Sequence, residues 1–489
     1  MAEPTIDARF TRGSTMRHVA VMTATSAVGL MSLFVVDLAN LFYISLLGQA
    51  ELAAAIGYAG TIQFFMISIS IGLAIAATAT VSRAVGEGRR DDARRLAASA
   101  LVILVFTLSS VAALVWLFRD EALALLGAEG RTLEIASDFL AIVMLSLPLL
   151  GIGMVASGLL RSIGDAKRAM LTTLLGGLLG AVLDPLFIFD WGFGLGVQGA
   201  AISSTIGRVA LAVFGLWFSL RVHDLIARPS VSAVLGDVKP IMAIAVPAVA
   251  TQLSTPFGNA FLISVVSDFG DDAVAGWAVV GRLTALCFGG IFALSGSVGP
   301  IFGQNLGARL YPRLVMTYRD ALIFAAVYVV VVWISVYLLS NPLIAAFGLT
   351  GAGADVLYAF THVGAAAFLF TGALFVSNSA FNNLGRPTWS TTFNWSRDAV
   401  AIPLISLLIG SGLGPAGVVV IQALANLIVG TAAVVTAARF VRRIGPSEQP
   451  DSDVPIPILT TPAFSSGRSS AITFITTEDE AMEPVEKTK

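Results

Sequence analysis

Apolar residues along this chain gather into long unbroken runs, set apart by short clusters of charge, glycine and proline. Twelve runs reach the ~20 residues that a helix needs to cross a bilayer. They lie at 18–47, 52–81, 96–118, 135–160, 169–190, 196–220, 240–267, 273–303, 320–341, 355–382, 392–412 and 415–438. They do not alternate with a period of two, and they run well past the length of a barrel strand, so they predict membrane helices. The first is too long for a removable signal and lacks a small-residue cleavage site.

Charge between the runs gives an orientation. Arg83, Arg89, Arg90, Arg94 and Arg95 follow span two, and Arg161, Lys167 and Arg168 follow span four. Arg221, Arg228, Lys239, Arg309, Arg313, Arg319, Arg386, Arg439, Arg442 and Arg443 continue the pattern after the later even spans. The opposite loops are acidic, with Asp120, Glu121, Glu129, Glu134, Asp138, Asp190, Asp268, Asp271, Asp272 and Asp355. Basic loops stay in the cytoplasm. Both termini are therefore expected there, in a prokaryotic plasma (inner) membrane.

Composition narrows the function. Of 489 residues 56% are hydrophobic and 12% charged, against about 25% charged in a soluble domain. That excludes a soluble enzyme, a nucleic-acid binder and a disordered scaffold. The net charge of −2 implies no polyanionic partner, and the single Cys287 no disulfide or thiolate metal centre. No nucleophile–base pair or metal-ligand cluster points to an enzyme. No cofactor is expected beyond a coupling ion, and the chain is expected to act as a monomer in the lipid bilayer.

The halves repeat. Gly48 matches Gly270 and Ala53 matches Ala275 at an offset of 222; Gly86 matches Gly307 and Gly164 matches Gly385 at 221; Gly199 matches Gly417 at 218. With six spans each, the halves share one orientation. The expected fold is all-α and integral to the membrane, with twelve transmembrane helices in two six-helix lobes related by a parallel pseudo-two-fold axis, an alternating-access layout. The expected divisions are a cytoplasmic N-terminus at 1–17, an N-lobe at 18–220, a polar linker at 221–239 holding His223, Arg228, Pro229 and Asp237, a C-lobe at 240–443, and a flexible cytoplasmic tail at 444–489.

Ionisable groups inside spans are costly and mark candidate sites. Asp37 and Asn40 share one face of span one. Asp184 lies in span five before Pro185, whose missing N–H frees a carbonyl one turn earlier, near Ala181. A carboxyl that gains and loses a proton in an apolar setting is a candidate proton carrier, and a neutral structural acid is the alternative. Arg208 could pair with Asp184 if their helices face each other. Arg282 has no charged match, since the corresponding position is Gly60, and its role is open. Arg397 and Asp398 read as a structural pair at the start of span eleven, and His362 as a packed polar residue.

Several stretches resemble the multidrug and toxic compound extrusion (MATE) transporters. They are Gly158-Leu-Leu-Arg161-Ser-Ile-Gly164-Asp165, Leu183-Asp184-Pro185-Leu186, Gly194-Leu-Gly196-Val-Gln-Gly199-Ala-Ala201 and Gly303-Gln304-Asn305-Leu306-Gly307-Ala308. The likeness covers about 18–440 in the right order. It extends to the branch of the DNA-damage-inducible F proteins, whose coupling acids sit in the N-lobe. The resemblance implies two lobes exporting lipophilic or cationic organic compounds by H+ or Na+ antiport, with Asp184 on a coupling position. Gly180 stands where the family often has Asn. The family acid of span one falls on Asn40, with Asp37 one turn earlier, and the family Tyr falls on Val36. The hydroxyl position after Gly199 is Ser204, with Thr205 next. Asn259 stands opposite Asp37 in the second half, and Leu262 opposite Asn40, so that half lacks the matching acid. The expected coupling residues are thus Asp37 and Asp184, supported by Asn40, Gly180, Pro185, Ser204, Thr205, Arg208, Asn259 and Arg282. A lipid-linked substrate flippase of the same superfamily and a major-facilitator carrier are the alternatives.

Overall fold

A computed structural model describes residues 7–46, 50–409 and 414–445, apart from the side chains of residues 37, 38, 41, 45, 50, 51, 53, 403 and 405–409. The expected tail at 444–489 lies almost entirely outside the described residues, as does the side chain of Asp37. The helices are α1 (Thr15–Ser45), α2 (Ala50–Gly86), α3 (Arg90–Leu117), α4 (Arg119–Leu125), α5 (Gly130–Ser162), α6 (Ala166–Ile188), α7 (Gly196–Trp217), α8 (Val231–Ser267), α9 (Asp271–Gly307), α10 (Tyr311–Leu338), α11 (Ser340–Ala346), α12 (Gly351–Ala359), α13 (Ala365–Asn383), α14 (Pro387–Ile409) and α15 (Gly414–Arg443). A π turn, Phe360–Gly364, joins α12 to α13 in one span. Among the described residues eleven spans are long and apolar enough to cross a membrane. The more polar α14, which carries Arg397 and Asp398, occupies the remaining expected position.

The backbone carries the repeat more clearly than the side chains do. Left-handed residues recur at one offset: Gly88 with Arg309, Gly127 with Gly348, Gly130 with Gly351 and Gly164 with Gly385, all 221 apart. The short helices α4 and α11, which begin at Arg119 and Ser340, keep the same offset. Each marks a chain reversal that the two halves share.

The polar linker is shorter than expected. Helix α8 begins at Val231, not near 240, because the Ser230 side chain caps it by accepting from the Ala233 N–H. Asp237 is therefore a fully buried helical residue rather than a linker residue. Its carboxylate accepts from Ser99 of α3 at 2.7 Å, and Arg95 lies 3.4 Å from its other oxygen. The true linker is clamped to the N-half: Asp224 pairs with Arg90 and Arg94, and His223 Nε2 lies 2.7 Å from Asp165.

The helix starts cross between halves. Phe10, Val19 and Met22 pack into the core of the second half, while Ile241 and Ala245 of α8 pack into the first. Thr15 of α1 hydrogen-bonds to buried Asp320 of α10. This contact is the repeat mate of Ser99–Asp237, since Thr15 matches Asp237 at 222 and Ser99 matches Asp320 at 221. Donor and acceptor are exchanged between the two latches.

Between the latches, α2 and α9 touch backbone to backbone. A Cβ built on Gly86 would lie 2.2 Å from the Gln304 carbonyl oxygen, and one on Gly307 would lie 2.2 Å from that of Arg83. Glycine alone permits this approach. Gly86→Val is therefore expected to cost about 1–3 kcal/mol through overpacking, read as a lower melting midpoint of the purified protein.

Asp165, the cap of α6, lies in the loop after α5. Burial acts to raise its carboxyl. Hydrogen bonds from His223 and from the Arg168 backbone and side chain, with the Arg168 charge, outweigh burial and hold it well below the usual carboxylate range. Its stabilisation is thus full above the unfolded value near pH ~4 and is lost as pH falls through the folded value. Asp165→Asn keeps a capping side chain but loses the charge-assisted bonds with Arg168 and His223, so it should lower stability at pH 7 by about 1 kcal/mol, and thermal melts should show the gap to the parent shrinking in acid below that range.

Candidate functional site

Asp184 sits at the meeting point of three helices and is 1% exposed. Its position follows from small residues. A Cβ on Gly176 would lie 3.0 Å from the Gly207 carbonyl oxygen, and one on Gly207 would lie 2.9 Å from that of Gly176. These glycines bring α6 and α7 into close contact and place Ser203 of α7 against the carboxylate. Ser203 Oγ donates to Asp184 Oδ1, and Asn40 Nδ2 of α1 donates to Oδ2 at 3.2 Å. Both carboxylate oxygens are thereby engaged by neutral donors from two other helices.

The expected supporting residues divide. Asn40 and Pro185 lie at the site. Gly180 borders it but leaves room: a Cβ there would come no closer than 3.9 Å to Ser203 O and Val36. The hydroxyl on Asp184 belongs to Ser203, not to Ser204, because neighbouring residues on a helix point about 100° apart. Thr205 bonds back to Ala201 O at 2.8 Å. Arg208 does not meet Asp184; its guanidinium reaches Gln63 Oε1 at 2.7 Å, Ser146 Oγ at 2.9 Å and Val143 O at 3.2 Å, tying α7 to α2 and α5. Asn259, in the second half, accepts from the Trp277 indole at 3.4 Å. Arg397 and Asp398 form the expected pair at 3.1 Å, backed by Gly258 of α8, but well inside α14 rather than at its start. His362 stacks on Tyr358, as a packed residue would.

A second feature lies between the halves. At the Arg-rich end α2 meets α9 and the passage is shut. Gln304 adds to the closure: its side chain accepts from the Phe10 N–H at 2.9 Å and donates to Ser162 O at 2.6 Å. Arg313 holds Phe10 O at 2.8 Å and Gly13 O at 3.0 Å. Midway, Phe65 of α2 meets Phe257 of α8 at 5.4 Å between ring centroids, and Gly289 of α9 faces Met31 of α1.

Toward the other end the faces of α2 and α9 that touch below become exposed. Gly57 and Thr61 precede Gly86 by about eight and about seven whole helical turns, and both are exposed. Ala278 and Arg282 stand at the same two phases before Gly307 and are also exposed. A Cβ built at Gly57, Gly60, Gly281 or Gly296 would meet nothing within 4 Å. The two helices thus diverge and line an open cleft. Among the described residues no group of three or more His, Cys, Asp or Glu could hold a metal ion.

The MatE family model matches residues 26–186 and 247–407, one match in each half. The FAD transporter of Shewanella oneidensis is 28% identical over 428 residues, spanning 86% of this chain and 93% of that protein. The multidrug export protein MepA of Staphylococcus aureus is 24% identical, spanning 78% of this chain and 84% of its own length. Among solved structures, a mutant of the Vibrio cholerae MATE transporter VcmN superposes with a TM-score of 0.82 at 25% identity, covering 88% of this chain and 97% of that one. A MOP superfamily transporter from Pyrococcus furiosus superposes at 0.83 with 21% identity, covering 90% and 98%.

Losing a hydrogen bond to a buried carboxylate costs about 1.5 kcal/mol or more. If Asp184 is essential, Ser203→Ala should slow transport by about tenfold while Ser204→Ala stays within about twofold. Initial rates of substrate efflux from vesicles compare the two.

Proposed function

We propose that this chain, which belongs to the MATE family of transporters, is a secondary active exporter that moves lipophilic or cationic organic compounds by antiport with H+ or Na+. It is a multi-pass membrane transporter, not an enzyme. The relatives' names cover both multidrug export and FAD transport, so its substrates are small organic molecules. The family match excludes the major-facilitator alternative. We place the Arg-rich end in the cytoplasm of a prokaryotic cell, so the cleft opens outward.

The observation that carries the coupling proposal is the three-helix junction at Asp184. An ionised carboxylate accepts on both oxygens; a protonated one must donate from one of them. Protonation would therefore oblige Asn40 or Ser203 to turn or leave. Asn40 belongs to α1 and Ser203 to α7, so one proton alters how three helices of the N-half hold together. Na+ would act differently, drawing the same oxygens into its shell. The energy involved, a charge-assisted hydrogen bond or two, is enough to bias a two-state equilibrium by a factor of ten or more.

Asp184 is too buried to face a bulky cation directly. We therefore separate the roles, with the coupling ion at Asp184 and the organic substrate in the cleft. Asp37, whose side chain lies outside the described residues, remains proposed as the second coupling acid. The C-half has Asn259, not an acid, at the position matching Asp37, which supports coupling in the first half.

Inside-out vesicles, acidified within and free of Na+, give the test. Adding ethidium or FAD should dissipate the pH gradient, and Asp184→Asn should abolish the response while leaving expression and melting behaviour intact. A response unchanged in Asp184→Asn would overturn the assignment; no pH response, with ethidium uptake driven instead by an imposed Na+ gradient, would identify sodium as the ion.

A further inference from the structure

Arg282 is an ionisable residue within a span that the coupling scheme leaves unused. It is exposed on α9 and makes no hydrogen bond or ion pair among the described residues. Its direction follows from helix phase. Two glycines of the same helix mark the face turned to the first half: Gly289 faces Met31 of α1, and Gly307 abuts Arg83 of α2. Arg282 precedes them by about two and about seven whole turns, so it points toward the first half, across the cleft, rather than toward lipid.

Among the described side chains, α2 supplies no counter-charge opposite Arg282. The repeat-matched position on α2 is Gly60, which has open space around it, as does Gly57. From Ala54 to Gly86 and from Ala273 to Gly307 neither helix contains a single acid. Asp184 is buried elsewhere, with both oxygens engaged. A guanidinium at membrane depth is tolerated when it faces water or a partner. Here it faces an open cleft whose α2 and α9 walls are otherwise uncharged down to Arg83.

We propose that Arg282 is an anion-recognition residue in the cleft, pairing with a phosphate or similar oxyanion on an amphiphilic substrate. Arginine is charged at every working pH and offers a two-pronged donor fork that fits such a group. This inference rests on reading the cleft as the substrate path, and it reverses the cation preference that the buried acids alone would suggest. The same chemistry could be presented by a soluble phosphorylated molecule or by an anionic lipid headgroup.

Binding separates this proposal from the transport reading, because it needs no ion gradient. The probes are riboflavin and riboflavin 5′-phosphate, which share a ring system and differ by one phosphate, titrated by flavin fluorescence into the purified full-length chain. A fluorescent short-chain phosphatidylglycerol is titrated in parallel. The expected result is a preference of about tenfold for the phosphate-bearing flavin, lost in Arg282→Ala and partly kept in Arg282→Lys, with riboflavin binding unchanged. If the flavins show no preference but phosphatidylglycerol binding depends on Arg282, the oxyanion is a lipid headgroup. A phosphate preference that survives Arg282→Ala, an equal loss for both flavins, or no Arg282-dependent binding of any probe would overturn the proposal.

Discussion

The backbone contact between α2 and α9 is the constraint on which the rest of the structure depends. Lipid offers no hydrophobic drive to push helices together, so close approach rests on small residues and on polar bonds. Gly86, Gly303 and Gly307 provide the approach. The paired latches, Thr15 with Asp320 and Ser99 with Asp237, fasten it from either side of the pseudo-two-fold axis. Because the helices are joined at one end only, they must diverge at the other. The cleft, its open glycines and the exposure of Arg282 are all consequences of that single junction.

The same geometry separates two kinds of chemistry. Asp184 is enclosed by neutral donors in the body of the first half, where a change of protonation would alter bonds to two other helices. The cleft is walled by stretches of α2, Ala54 to Gly86, and of α9, Ala273 to Gly307, that contain no acid. A carrier needs these parts to be distinct but connected, and α1 connects them here. It brings Asn40 to Asp184, packs Met31 against α9 beside the cleft, and anchors its first residue on Asp320. A movement of α1 caused at Asp184 would reach both the cleft and the latch.

Much of this was legible in the sequence. The spans were readable because ~20 apolar residues in a row have few other uses. The repeat was readable because glycines at left-handed turns, such as Gly164 and Gly385, cannot easily be replaced. Asp184 stood out as a carboxyl in an apolar run. The failures are tertiary. Ser204 was favoured over Ser203 by register, although Gly199, Ser203 and Gly207 form a stripe of small residues four apart that marks the face turned to α6. Asp237 looked like linker because charge near a span end normally faces water; its partners Ser99 and Arg95 come from α3, far back in the chain. Arg208 was offered Asp184 as a partner, whereas Gln63 and Ser146, which it meets, are remote from it in sequence.

The most direct test of the account is to tie the closed end shut. Cysteines at Thr15 and Asp320, in a Cys287→Ala background, can be joined by a short thiol cross-linker while substrate efflux is followed in proteoliposomes. If the halves must part at this end for each cycle, efflux should stop when the link forms and return when it is cleaved. Efflux that continues at full rate with the link complete would contradict the account, since the α2–α9 junction would then not be a gate.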